Sequence, residues 1–147
     1  MIIKKFEKKD IYELYKIGLR EFKGEEWFTK KFLLDCFKRD CLGFVALEKK
    51  KLIGGILIDL LDKPKAWVFF FVIKKDMRNK GLGSNLLKES IKNLPRGYYS
   101  LFTDFEKTDV SARKFYKKQG FREVAKIKSW FGLRHYGLIY EKILKKN

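Results

Sequence analysis

The sequence predicts a mixed α/β domain, with a central sheet of about six to seven strands flanked by about four helices. Three observations carry that expectation. Short runs rich in aromatic and β-branched residues recur along the chain, the plainest being Trp67-Val68-Phe69-Phe70-Phe71-Val72-Ile73. Between them lie segments whose apolar residues repeat at helical spacing. No linker, repeat or low-complexity stretch interrupts the alternation, so residues 1–147 read as a single domain.

Each element follows from its own pattern. Residues 2–8 read as a strand. Asp10 is placed to cap a helix with Glu13 at the capping-box position, and Ile11, Leu14, Tyr15, Gly18, Leu19 and Phe22 form its inner face. After a break at Lys23-Gly24-Glu25-Glu26, Thr29 caps a second helix, with Phe28 and Leu33 spaced as a hydrophobic staple. Strands are expected at 42–48 and 52–61, joined as a hairpin by a lysine turn. The Trp67–Ile73 strand follows, then a helix over Gly81–Leu94 that ends near Pro95-Arg96-Gly97. Tyr98–Phe105 is another strand. A helix over Asp109–Gln119 has Thr108 or Asp109 as its N-cap, Ala112, Phe115 and Tyr116 inward, and Gly120 at its C-terminal cap. Two strands, roughly 122–130 and 135–144, close the chain around Trp130–Arg134.

The most informative segment is Arg78-Asn79-Lys80-Gly81-Leu82-Gly83-Ser84, which joins a strand to a helix. A helix N-terminus collects unpaired backbone N–H groups and the positive end of the dipole. Glycines at 81 and 83 remove Cβ atoms and let an anion come close to the backbone. The segment therefore reads as a phosphate or pyrophosphate cradle. It has neither the Gly-Lys-Ser/Thr of nucleotide-hydrolase loops nor the three glycines of the dinucleotide fingerprint.

Composition narrows the class. Cys36 and Cys41 are five apart and His135 is the only histidine, so neither a metal site nor a disulfide framework is expected. No apolar span is long enough to cross a membrane, and the N-terminus lacks a signal peptide's apolar region, which makes cytoplasm the default. Thirty-five Lys and Arg against eighteen Asp and Glu give a net charge of +17. Such a field attracts polyanions. Two interpretations stand: association with nucleic acid or the ribosome, or a soluble lysine-rich surface without a specific partner.

Arg78-x-x-Gly81-x-Gly83 resembles the coenzyme A pyrophosphate loop of the GNAT acetyltransferase superfamily. Asp109-Val110-Ser111-Ala112-Arg113-Lys114-Phe115-Tyr116, followed by Gly120-Phe121, is similar to that family's later motif, Asn-x-x-Ala-x-x-x-Tyr then Gly-Phe. The element order β-α-α-β-β-β-α-β-α-β-β matches the family along essentially the whole chain. The resemblance implies a GNAT fold whose sheet splays between the Trp67–Ile73 and Tyr98–Phe105 strands. It implies acetyl-CoA as acyl donor, held by residues 78–84 and by main-chain groups of Phe71 and Ile73, and it needs no metal. Tyr116 is then the group that protonates the departing thiolate. Aromatic packing alone also accounts for Phe69-Phe70-Phe71.

Two departures from the family pattern matter. Asp109 stands where the family usually has Asn; a carboxylate can cap the helix, yet it repels phosphates and cannot donate a hydrogen bond. No carboxylate lies on the Ala66–Ile73 strand, where many relatives carry a Glu as general base. Asp59, Asp104, Glu25 and Glu26 are the alternatives. By resemblance the acceptor lies against Lys23–Trp27 and Ser129–Tyr136. The reading is an acetyl-CoA-dependent N-acetyltransferase acting on a primary amine (a protein N-terminus, a lysine or a small-molecule amine) by direct transfer. Its rival is a catalytically silent acyl-CoA-binding or nucleic-acid-associated module on the same fold.

Overall fold

The computed structural model describes residues Met1–Leu144. Its strands are β1 (Ile2–Lys5), β2 (Cys41–Glu48), β3 (Lys51–Leu60), β4 (Lys65–Ile73), β5 (Ser100–Glu106), β6 (Arg122–Ile127) and β7 (Gly137–Ile143). The helices are α1 (Ile11–Glu21), α2 (Lys30–Leu34), α3 (Leu82–Lys92) and α4 (Val110–Lys118). All seven strands form one sheet in the order β1-β2-β3-β4-β5-β7-β6. β4 and β5 pair in parallel, Lys65–Val68 against Ser100–Thr103, while β1–β2, β2–β3, β5–β7 and β6–β7 pair antiparallel. The mixed sheet and its four helices are as the sequence predicts. No helix among the described residues is long and apolar enough to cross a membrane.

The chain forms two compact units. The first comprises Met1–Asp59 and Phe70–Pro95. Leu14, Leu33, Val45, Ile56, Leu57 and Leu86 are fully buried in it. Beside them lies an aromatic cluster, in which Phe28 stacks on Phe70 at 5.6 Å with the rings 5° from parallel. Phe22, Trp27 and Phe32 pack around Phe28, and Tyr15 stacks on it at 5.3 Å. Gly18 makes this possible, because a methyl group there would overlap the Phe28 ring. Gly18→Ala should therefore lower stability. The helix-propensity gain of about 1 kcal/mol is outweighed by an overpacking cost of about 1–3 kcal/mol. Thermal unfolding checks this, and a more stable variant would show that the ring yields at no cost.

The second unit comprises Leu60–Phe69 and the chain from Arg96 onward. Leu101, Thr103, Phe105, Tyr116, Phe121, Leu138 and Tyr140 are buried there. α4 ends as its sequence requires. Gly120 adopts φ 91°, its N–H reaches the Lys117 carbonyl, and the Phe121 N–H reaches the Tyr116 carbonyl at 2.9 Å. This double closure uses a left-handed residue that glycine supplies without a Cβ penalty.

Four expectations needed correction. β1 stops at Lys5, and Asp10 makes no side-chain cap for α1. Its carboxylate turns back instead, accepting from the Glu7 N–H at 2.9 Å and from Lys4 Nζ at 2.8 Å. β6 ends at Ile127, so the final connection runs over residues 128–136. The cysteines, for which no disulfide framework was expected, form a Cys36–Cys41 bridge. The 3₁₀ turn Asp35–Lys38 and the start of β2 bring their Cα atoms to 5.5 Å, inside the usual range for a disulfide. A spacing of five residues does not reveal that reversal.

Candidate active site

In the first unit, β4 leads through a 3₁₀ turn at Lys75–Met77 into Arg78 and then α3. Asn79 and Gly81 both take left-handed backbone, with φ 62° and 79°. Gly81 is the N-cap of α3 and contributes no side chain to the cap, and the first turn holds no acidic residue. Leu82 turns its side chain into the core, whereas Lys80 and Gly81 are exposed and Gly83 and Ser84 half-buried. A Cβ added at Gly81 would meet nothing within 4 Å. Space beside Gly81 is thus open at the positive end of an eleven-residue helix, where the first-turn N–H groups lack intrahelical partners. That fits a diphosphate.

Arg78 behaves differently from the rest of the loop. Its Nε donates to the Ile73 carbonyl at 3.0 Å, and its Nη2 pairs with Glu21 at the end of α1. The guanidinium therefore braces the loop against α1. Glu21 leaves no local signal in the sequence, because it lies 57 residues from Arg78. Phe71 and Ile73 are half-buried, on the opposite strand face from the buried Phe70 and Val72.

In the second unit, Asp109 caps α4, Oδ1 accepting from the Ala112 N–H at 2.9 Å. Its carboxylate is thereby committed to the helix. Tyr116 is 7% exposed. Its ring stacks on Phe105 at 5.6 Å and meets Phe115 and Phe121 edge-on. Burial is the main cause that pushes its phenol up to about 12; the Thr103 hydroxyl within hydrogen-bond reach opposes this, and the charges of Asp104 and Asp109 add to it. The hydroxyl consequently carries its proton throughout the neutral range.

The base candidates are already engaged or exposed. Asp104 accepts the indole N–H of Trp67 at 2.8 Å and that of Trp130 at 2.9 Å, one on each oxygen. It anchors the 128–136 connection, whose Trp130 ring lies so close over Gly137 that any side chain there would collide with it. His135 Nδ1 meets Glu106 Oε1 at 2.6 Å and fastens the other end of the connection. Phe131 and Leu133 remain exposed at its tip. Asp59 bonds Arg39 at 2.7 Å, and burial raises its pKa against that partner. Glu25 and Glu26 lie in the exposed break after α1.

The comparison with known families decides the classification: the model of the Acetyltransferase (GNAT) family matches residues 8–121. The chain is a GNAT acetyltransferase-family member. Solved structures agree on the GNAT fold. A Streptococcus mutans protein, smu.2055, superposes with a TM-score of 0.88 at 21% identity, covering 99% of this chain and 100% of its own. The ribosomal-protein-S18-alanine N-acetyltransferase of Escherichia coli gives 0.82 at 19%, covering 99% and 96%. The PaiA N-acetyltransferase of Thermoplasma acidophilum, solved with coenzyme A, gives 0.81 at 21%, covering 97% and 98%. At these identities the likeness is one of fold. Within the GNAT frame, the 78–84 loop occupies the strand-to-helix turn between β4 and α3.

Proposed function

We propose that the chain is an acetyl-CoA-dependent N-acetyltransferase that moves an acetyl group to a primary amine by direct transfer. The observation that carries the reading is the uncapped N-terminus of α3, with open space above Gly81. The amides of residues 82–84 would hold the diphosphate, with Asn79 and Lys80 beside them; main-chain groups of Phe71 and the Ile73 N–H would take the amides of the pantetheine arm, the Ile73 carbonyl being held by Arg78. Acetyl-CoA supplies an acetyl group activated as a thioester. Strand backbone N–H offers an oxyanion contact, and the Tyr116 hydroxyl holds the proton for the leaving sulfur. Asp109, in this reading, shapes the start of α4 and leaves the phosphates to the loop.

Base chemistry selects the acceptor. Of the four carboxylates considered, Asp104 has both oxygens taken by indoles, Asp59 is tied to Arg39, and Glu25 and Glu26 lie in solvent after α1. An acceptor that arrives partly neutral needs no strong base. Near pH 7.5 an α-amine is about one-third neutral, against roughly one in a thousand for a lysine. The α-amine of a protein or peptide is therefore the favoured acceptor. An assay of thiol release with a panel of free-N-terminal peptides, lysine-blocked and lysine-only peptides, polyamines and small amines tests this. Turnover should be fastest with α-amines near neutral pH. Calorimetric binding of acetyl-CoA without turnover by any amine would favour the silent-module reading, to which the carboxylate-free β4 and the +17 charge also lend support.

A further inference from the structure

A cleft in the first unit is lined by residues to which no role has been assigned so far. Lys16 and Arg20 stand four residues apart on α1; Lys50 and Lys51 come from the turn and first residue of β3; Lys74 follows β4. With Glu13 they line a space of about 540 Å³, well inside the size range of small-molecule sites. Five cations thus face one carboxylate. Glu13 reaches Lys16 at 3.7 Å, both side chains being more than half exposed. Among the described residues, no ion pair engages Arg20, Lys50, Lys51 or Lys74.

Gathering like charges around one concavity raises their mutual repulsion, which a bound anion relieves. The turn between β2 and β3 adds a second, independent observation. Lys49 and Lys50 both sit at left-handed backbone, with φ 50° and 66°. Asn-Gly or Asp-Gly is the favoured occupant of such a two-residue hairpin turn. Lysines are held there against roughly 1–2 kcal/mol of strain each, and what they add to the turn is charge. One of them, Lys50, lines the cleft.

We propose that this cleft binds a small anion carrying two or more phosphate groups, as a site separate from the 78–84 loop. Lysine ammoniums act as point charges on phosphate oxygens, and Arg20 adds a planar fork able to grip one phosphate with two donors. The proposal does not depend on the acyl-donor reading, because no residue of 78–84 lines the cleft.

The probe is inorganic tripolyphosphate, titrated calorimetrically at low ionic strength into the full chain. Three proteins are compared: the wild type, Lys50→Glu/Lys51→Glu, and Lys5→Glu/Lys8→Glu. The last carries the same change in net charge at exposed positions outside the cleft. Circular dichroism verifies that each is folded. Tripolyphosphate should bind the wild type, weaken about tenfold or more in the Lys50/Lys51 variant, and stay close to wild type in the Lys5/Lys8 variant. Equal weakening in both variants would mean bulk attraction by a basic protein and would overturn the proposal. So would an absence of binding at low salt, or displacement of tripolyphosphate by coenzyme A, which would merge the cleft with the donor site.

Discussion

Tyr116→Phe should lower turnover by roughly 10²–10⁴-fold, the range for a positioned general acid, while leaving the fold and acetyl-CoA affinity nearly intact. The ring, with its stack on Phe105 and its edge contacts to Phe115 and Phe121, survives the change. Only the hydroxyl and its contact with Thr103 are lost, at about 1 kcal/mol. Both kcat and kcat/KM should fall, because the proton transfer belongs to the transition state alone. A second readout comes from alkaline stability. The folded phenol is raised to about 12 from an ordinary value of 10.0, chiefly by burial. A raised folded value means that stability is whole below pH 10 and is lost as the unfolded chain ionises between pH 10 and 12. The Phe variant lacks that loss, so the two proteins' denaturation midpoints should converge or cross in that window. A variant with wild-type turnover would remove Tyr116 from the chemistry and leave it a core tyrosine.

The elements that could be read in advance are those whose signals are local. Alternation along Ala66–Ile73, the apolar stripe of α3 and the Asp109-to-Gly120 frame of α4 each depend on neighbours within a few residues. The strand-to-helix loop was legible for the same reason. What stayed hidden is joined across distance. Asp104 meets Trp67 and Trp130 over 37 and 26 residues, and Arg78 meets Glu21 over 57. Trp130 shows how such contacts overrule a pattern: its apolar neighbours suggest a longer β6, yet its ring is drawn onto Gly137 and its N–H to Asp104, which ends the strand at Ile127. At Asp10 the helix cap has a rival of similar strength. A carboxylate at a helix start can satisfy an N–H ahead of it or behind it, and here Lys4 adds charge on the side behind.

Gly81→Val should weaken coenzyme A binding by about tenfold or more, through two effects that can be separated. At φ 79° a β-branched residue is strained by roughly 1–2 kcal/mol, and relief of that strain would swing the loop away from the first turn of α3. The added methyls would also fill the space that lies open above the Cα. A diphosphate cannot then approach the amides of the helix start, and the charge–dipole interaction decays within about one turn. Gly81→Asn distinguishes the causes, because asparagine tolerates left-handed backbone while still carrying a side chain. If crowding dominates, Asn weakens binding nearly as much as Val. If strain dominates, Asn stays close to wild type and Val alone falls. Thermal unfolding accompanies both titrations, so that a misfolded Val variant is recognised and the Asn result stands by itself. Unchanged affinity in both folded variants would take the diphosphate away from this loop and, with it, the acyl-donor reading that rests on the helix start.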